Sequence, residues 1–116
     1  MSAGFPRDPH LERFVELFNA GQWWESHEAL EPLWLATEGP RRELYRGLIQ
    51  AAAAMVHWSR GNRHGVAVLG AKARQRLERF LPAADGLDLE RFLTDLRGCL
   101  EGGGPPPRIS SAGRTR

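Results

Sequence analysis

Two runs of this chain hold side chains that could do chemistry. The first, "SHEALEPLW" at residues 26–34, sets His27, Glu28 and Glu31 among Ala29, Leu30, Leu33 and Trp34, with Trp23 and Trp24 just before it. The second, "ELYRGLIQAAAAMVHW" at residues 43–58, carries Glu43, Arg46, Gln50 and His57. An imidazole and a carboxylate four residues apart on a helix share one face, where both can reach one divalent ion. Two ligands do not close a site, so His57 is the candidate third, with water completing the shell of zinc, manganese or iron rather than calcium. Acid–base chemistry is a second reading, with His27 polarised by Glu31 and partnered by His57. No nucleophile stands out for it: Ser26 falls on the wrong face and Cys99 is remote, so catalytic residues stay unassigned. In a third reading His27, Glu31, Gln50 and His57 satisfy one another and set the helix register.

The helices that must position these groups follow from periodicity. At about 100° per residue, His27 sits at the centre of an inward stripe, with Trp34, Trp23 and Leu30 to one side and Glu31 and Trp24 to the other. Glu28 falls at its edge. On the next helix, apolar residues from Leu44 to Trp58 surround most of the circumference, as in a central, buried helix. Glu43, Arg46, Gln50 and His57 lie within about 40° of one line on it. A buried polar group without a partner costs about 1–3 kcal/mol, so the two polar lines are expected to meet. His27 and Glu31 would then face His57 and Gln50, with Glu28, Glu43, Arg46 and Trp34 in support.

The remaining patterns are also helical, and the fold class expected is all-α, a compact up-and-down bundle of about five helices. Asp8-Pro9 opens the first helix, whose stripe is Leu11, Phe14, Val15 and Phe18; Gly21 closes it. The second runs from about Gln22 to Thr37, the third from Arg41 to Arg60, the fourth from Asn62 to Leu81, and a fifth starts near Asp88. Residues 1–100 read as one domain. Residues 101–116, "EGGGPPPRISSAGRTR", read as a disordered Gly/Pro/Arg tail.

At 116 residues and 41% hydrophobic the chain is globular in composition and can bury one modest core. It holds no apolar run of the ~20 residues a bilayer requires. The N-terminal residues show no leader pattern, and one cysteine fits a reducing cytoplasm. Residues 1–38 carry seven acids against two bases, and residues 39–79 nine bases against two acids. Packing the two halves together is the simplest way to neutralise them.

"FNAGQWWESHEALEPLW" followed by "GLIQAAAAMVHWSRGNRHGVAVL" resembles the domain of unknown function 309 family of bacteria and archaea. The resemblance covers roughly residues 10–81. Its His-x-x-x-Glu-x-x-Trp/Tyr hallmark is matched by His27, Glu31 and Trp34, and it implies an all-helical fold and a metal-binding motif but no substrate. Pro32 stands inside the motif, where it removes a hydrogen bond to the carbonyl of Glu28 and should bend the helix.

Three classes of function remain: a helical protein with a divalent metal at His27, Glu31 and His57; a self-associating interaction module whose polar network is structural; and a nucleic-acid accessory protein using the basic fourth helix. The last is the least favoured, because Lys72, Arg76 and Arg79 read better as a solvated face. The four tryptophans read as core rather than as a ligand cage. A metal-dependent hydrolase stays open as a reaction class.

Overall fold

Polar side chains take up the first free amides of three helices. Asp8 accepts from the His10 amide at 2.8 Å, Asn62 from Gly65 at 3.1 Å and Asp88 from Arg91 at 3.0 Å. The chain is all-α apart from a small ribbon. The computed structural model describes residues 8–113 and contains α1 (Pro9–Asn19), α2 (Trp23–Ala36), α3 (Pro40–Ser59), α4 (Arg63–Leu77) and α5 (Leu89–Gly102).

Helix α3 is the central element, packed by α2 on one side and α4 on the other. Its Leu48, Ala51, Ala52, Ala54 and Met55 are fully buried, as apolar residues all round the helix require. Neighbours run antiparallel. The start of α2 meets the end of α3 through Trp23 and Trp58, whose rings cross at 5.9 Å, while Arg42 and Arg46 lie over Trp34 near the other end. Likewise Glu43 near the start of α3 reaches Arg76 near the end of α4. Phe14, Phe18, Leu30, Leu77 and Phe92 complete one core cluster drawn from α1, α2, α4 and α5.

Helix α4 stops at Leu77, earlier than its apolar stripe suggests, and a 3-10 turn over Glu78–Phe80 follows. Pro82 disfavours helical geometry in the residue before it, and Leu81 is extended at φ −70° and ψ 147°. Beyond lie β1 (Ala83–Ala84) and β2 (Leu87–Asp88), an antiparallel pair joined by Asp85-Gly86, both at positive φ. That dipeptide suits a two-residue hairpin turn. Asp85 also accepts from the Tyr45 hydroxyl at 2.7 Å and pairs with the Arg41 guanidinium, tying the hairpin to α3. Burial, then the hydrogen bond and charge of Asp85, push the Tyr45 hydroxyl above its usual pKa.

The expectation of disorder from Glu101 is corrected for the described residues. Helix α5 continues to Gly102, and the following segment docks on the body. Asn19 holds Ile109 from both sides, donating to its carbonyl at 2.9 Å and accepting its amide at 2.8 Å. Ile109 is 3% exposed, and Ser110 and Ala112 bond to the backbone of Asp88 and Gly86. One isoleucine in a polar stretch suffices because an amide side chain supplies both backbone partners. The expected tail residues Arg114 and Arg116 lie outside the described residues. Among those described, no helix is long and apolar enough to cross a membrane.

Candidate functional site

The His27–Glu31–Trp34 motif lies along α2, which continues past Pro32 to Ala36 and so keeps Trp34 in the helix. His27 and Glu31 are half-buried, and Glu28 is exposed. The imidazole of His27 stacks on the indole of Trp24, with centroids 5.3 Å apart and planes 14° from parallel. Its Nδ1 is buried with no hydrogen-bond partner among the described residues, and so are the indole Nε1 atoms of Trp23 and Trp34. Guanidiniums of Arg42 and Arg46 stand 5.0 and 5.9 Å from the Trp34 ring, cation–π contacts that bring positive charge beside the motif. Ser26 is buried and its hydroxyl is spent on the Trp23 carbonyl at 2.7 Å.

The polar line of α3 mostly faces the other way. Arg76 of α4 donates to Glu43 at 2.9 Å and to Gln50 at 3.4 Å. His57 Nδ1 is 2.9 Å from Asn62 Nδ2, in the turn into α4. The ring of His57 also covers Gly65: a Cβ there would stand 2.8 Å from its Cδ2, and closer still to its Cγ. A Cβ at Gly47 would meet Leu77 at 2.8 Å. Glu43, Gly47, Gln50 and His57 thus form one seam against α4, where two glycines allow close approach. Of the four polar residues on that line, Arg46 leans toward α2 instead.

The structure therefore divides the expected cluster. Gln50 and Glu43 are answered by Arg76, and His57 by Asn62. Among the described residues no three His, Cys, Asp or Glu side chains are grouped so as to hold one ion. The unpartnered Nδ1 of His27 could ligate a metal, but the other two buried, unpartnered side-chain atoms on α2 are indole N–H groups, which only donate. Donors of that kind suit a carbonyl, a carboxylate or water, not a cation. A three-ligand site of His27 and Glu31 with His57 is not assembled among the described residues.

Arg76, expected on a solvated basic face, is turned inward, while Lys72 and Arg79 stay exposed. Trp24, expected in the core, is 52% exposed. Arg76, Asn62 and Gly65 are the partners that helical spacing did not single out. A usable signal was present: Glu43, Gln50 and His57 recur every seven residues with Gly47 between them, a spacing that marks one helix contact seam.

Residues 11–69 match the family described as Domain of unknown function (DUF309). A crystal structure of a conserved hypothetical protein from Thermus thermophilus is similar, at 37% identity and a TM-score of 0.69. The match covers 79% of this chain and 96% of that one. No curated protein matches the chain.

Proposed function

The chain belongs to the DUF309 family, and from that premise we propose that it is a self-associating helical module whose contact face is the outer side of α2. The observation that carries this reading is the exposure of Trp24 and Leu35, 52% and 59%, on one side of that helix. They stand about 16 Å apart along its axis. With Glu28 and Glu31 between them they follow the 4-3-4 spacing by which one helix meets another. Apolar residues on both the inner and the outer side of α2 are what a helix covered twice would need, once by its own core and once by a partner.

The face is self-complementary. Glu28 and Glu31 give it negative charge, and Arg42 and Arg46, leaning over Trp34 beside them, give it positive charge. A two-fold axis through such a face sets the guanidiniums of one copy against the carboxylates of the other. His27 supports it by stacking on Trp24, which pre-orders the exposed ring and lowers the entropy lost on contact. Cytoplasmic action belongs to the same reading, since the lone Cys99 is buried and unpaired.

Sedimentation of wild-type protein and of a Trp24→Ser, Leu35→Ser variant tests the proposal. Wild type should show a concentration-dependent dimer in the micromolar range, weakened by salt. The variant should remain monomeric with unchanged helicity, because both side chains are exposed. A wild type that stays monomeric, or a variant that associates equally well, would overturn it.

A further inference from the structure

A groove of about 630 Å³ runs between α4 and α5, and no residue of α2 lines it. Small residues of α4, Ala67, Gly70 and Ala71, leave room there opposite the leucines of α5. Leu100 Cδ1 lies 3.0 Å from where a Gly70 Cβ would stand. Trp58, Val66, Leu93, Leu96 and Leu100 are its large apolar lining residues. Three arginines share the lining, each with an exposed side chain: Arg63, Arg74 and Arg97.

We propose that this groove binds an amphipathic anion, an apolar chain ending in a carboxylate. Its volume falls within the roughly 300–1,000 Å³ of small-molecule pockets, which pair apolar walls with a few polar groups. The charge argues for the carboxylate end. Arg97 holds Glu101 at 3.2 Å and Arg74 approaches Glu78 at 4.0 Å, so two of the guanidiniums already take this chemical group. Both pairs are exposed and weak enough for a ligand to replace them. Arg63 makes no ion pair among the described residues and offers a fork for bidentate capture. The hydrocarbon chain lies along the leucines of α5 and covers the face of Trp58 that borders the groove.

Isothermal titration of the full chain with decanoate, decanol and decyltrimethylammonium tests this. Decanoate should bind saturably, with the neutral and cationic chains at least about tenfold weaker. Arg63→Glu should weaken decanoate about tenfold with little change in decanol, and Ala67→Phe, an exposed position on the groove wall, should abolish both. Thermal unfolding of each variant shows whether it is folded; should Ala67→Phe unfold, Arg63→Glu alone decides. Equal affinity for all three chains, or decanoate binding indifferent to Arg63→Glu, would reduce the groove to an adventitious apolar surface. No binding of decanoate would overturn the proposal; if Arg63→Glu then also lowered self-association, the occupant would be a second copy of the chain. Because the α2 face takes no part, the Trp24→Ser, Leu35→Ser variant should bind decanoate like wild type, which separates failure here from failure of the self-association reading.

Discussion

Along the contact of α3 with α4, polar groups meet polar groups: Arg76 serves both Glu43 and Gln50, and Asn62 meets His57. Along α2, the Nε1 atoms of Trp23 and Trp34 and Nδ1 of His27 end in buried positions without a partner among the described residues. Both regions flank α3, and both contain a histidine and a glutamate. The first is closed and tight, with Gly47 and Gly65 bringing the backbones together. The second is open, with the large exposed side chains of Trp24 and Leu35 on its outer side. A satisfied seam fixes register, and each of its members is costly to remove. Groups left unsatisfied destabilise the isolated fold by about 1–3 kcal/mol apiece, and a bound partner or a water can relieve that. Position on a helix says little about role until the partners are known.

Substitutions should separate the two regions. The largest effect is expected from Gly65→Val, because the new side chain must displace the His57 ring; a loss of roughly 3 kcal/mol in denaturant unfolding fits an overpacked contact. A loss near zero would mean that α3 and α4 can move apart freely. Next, Arg76→Leu should cost about 1–3 kcal/mol by leaving Gln50 and Glu43 without their donor. Adding Gln50→Leu should recover part of that cost, and a strictly additive double variant would break the idea of one shared network. The smallest effect is expected on α2. His27→Leu should leave stability unchanged or raise it by about 1 kcal/mol, since it removes a buried nitrogen that lacks a partner while giving up the stacking on Trp24. Elemental analysis should find the same metal content in wild type and in a His27→Ala, Glu31→Ala variant. A His27→Leu penalty as large as that of Arg76→Leu would erase the distinction between the regions.

The helices were legible in the sequence because each carries its own signals. Asp8-Pro9, Asn62 and Asp88 mark starts, Gly21 and Gly61 mark stops, and the apolar run of α3 announces a central helix. The hairpin was less visible, although Asp85-Gly86 is a turn dipeptide, because its strands are two residues each and carry no periodicity. The docked segment after α5 was hidden by composition. Ile109 is its single large apolar residue, and the partner that holds it, Asn19, is 90 positions away. For the candidate site, spacing correctly put Glu43, Gln50 and His57 on one line and His27 with Glu31 on another. It then joined the wrong lines.

That error has a simple physical origin. Helical periodicity is a local property, set by 3.6 residues per turn, and it gives the angle of each side chain about its own axis. Helix identity, end positions, the buried character of α3 and the presence of two polar lines all follow from it. Which neighbour a line faces depends on how close two backbones can come, and that was decided by Gly47 and Gly65 packing beneath Leu77 and His57. With the line of α3 drawn to α4, His27 was left with an unanswered nitrogen and Trp24 with an open face. The groove between α4 and α5 has the same kind of origin, because small residues on one helix become a hollow only when a second helix closes over them.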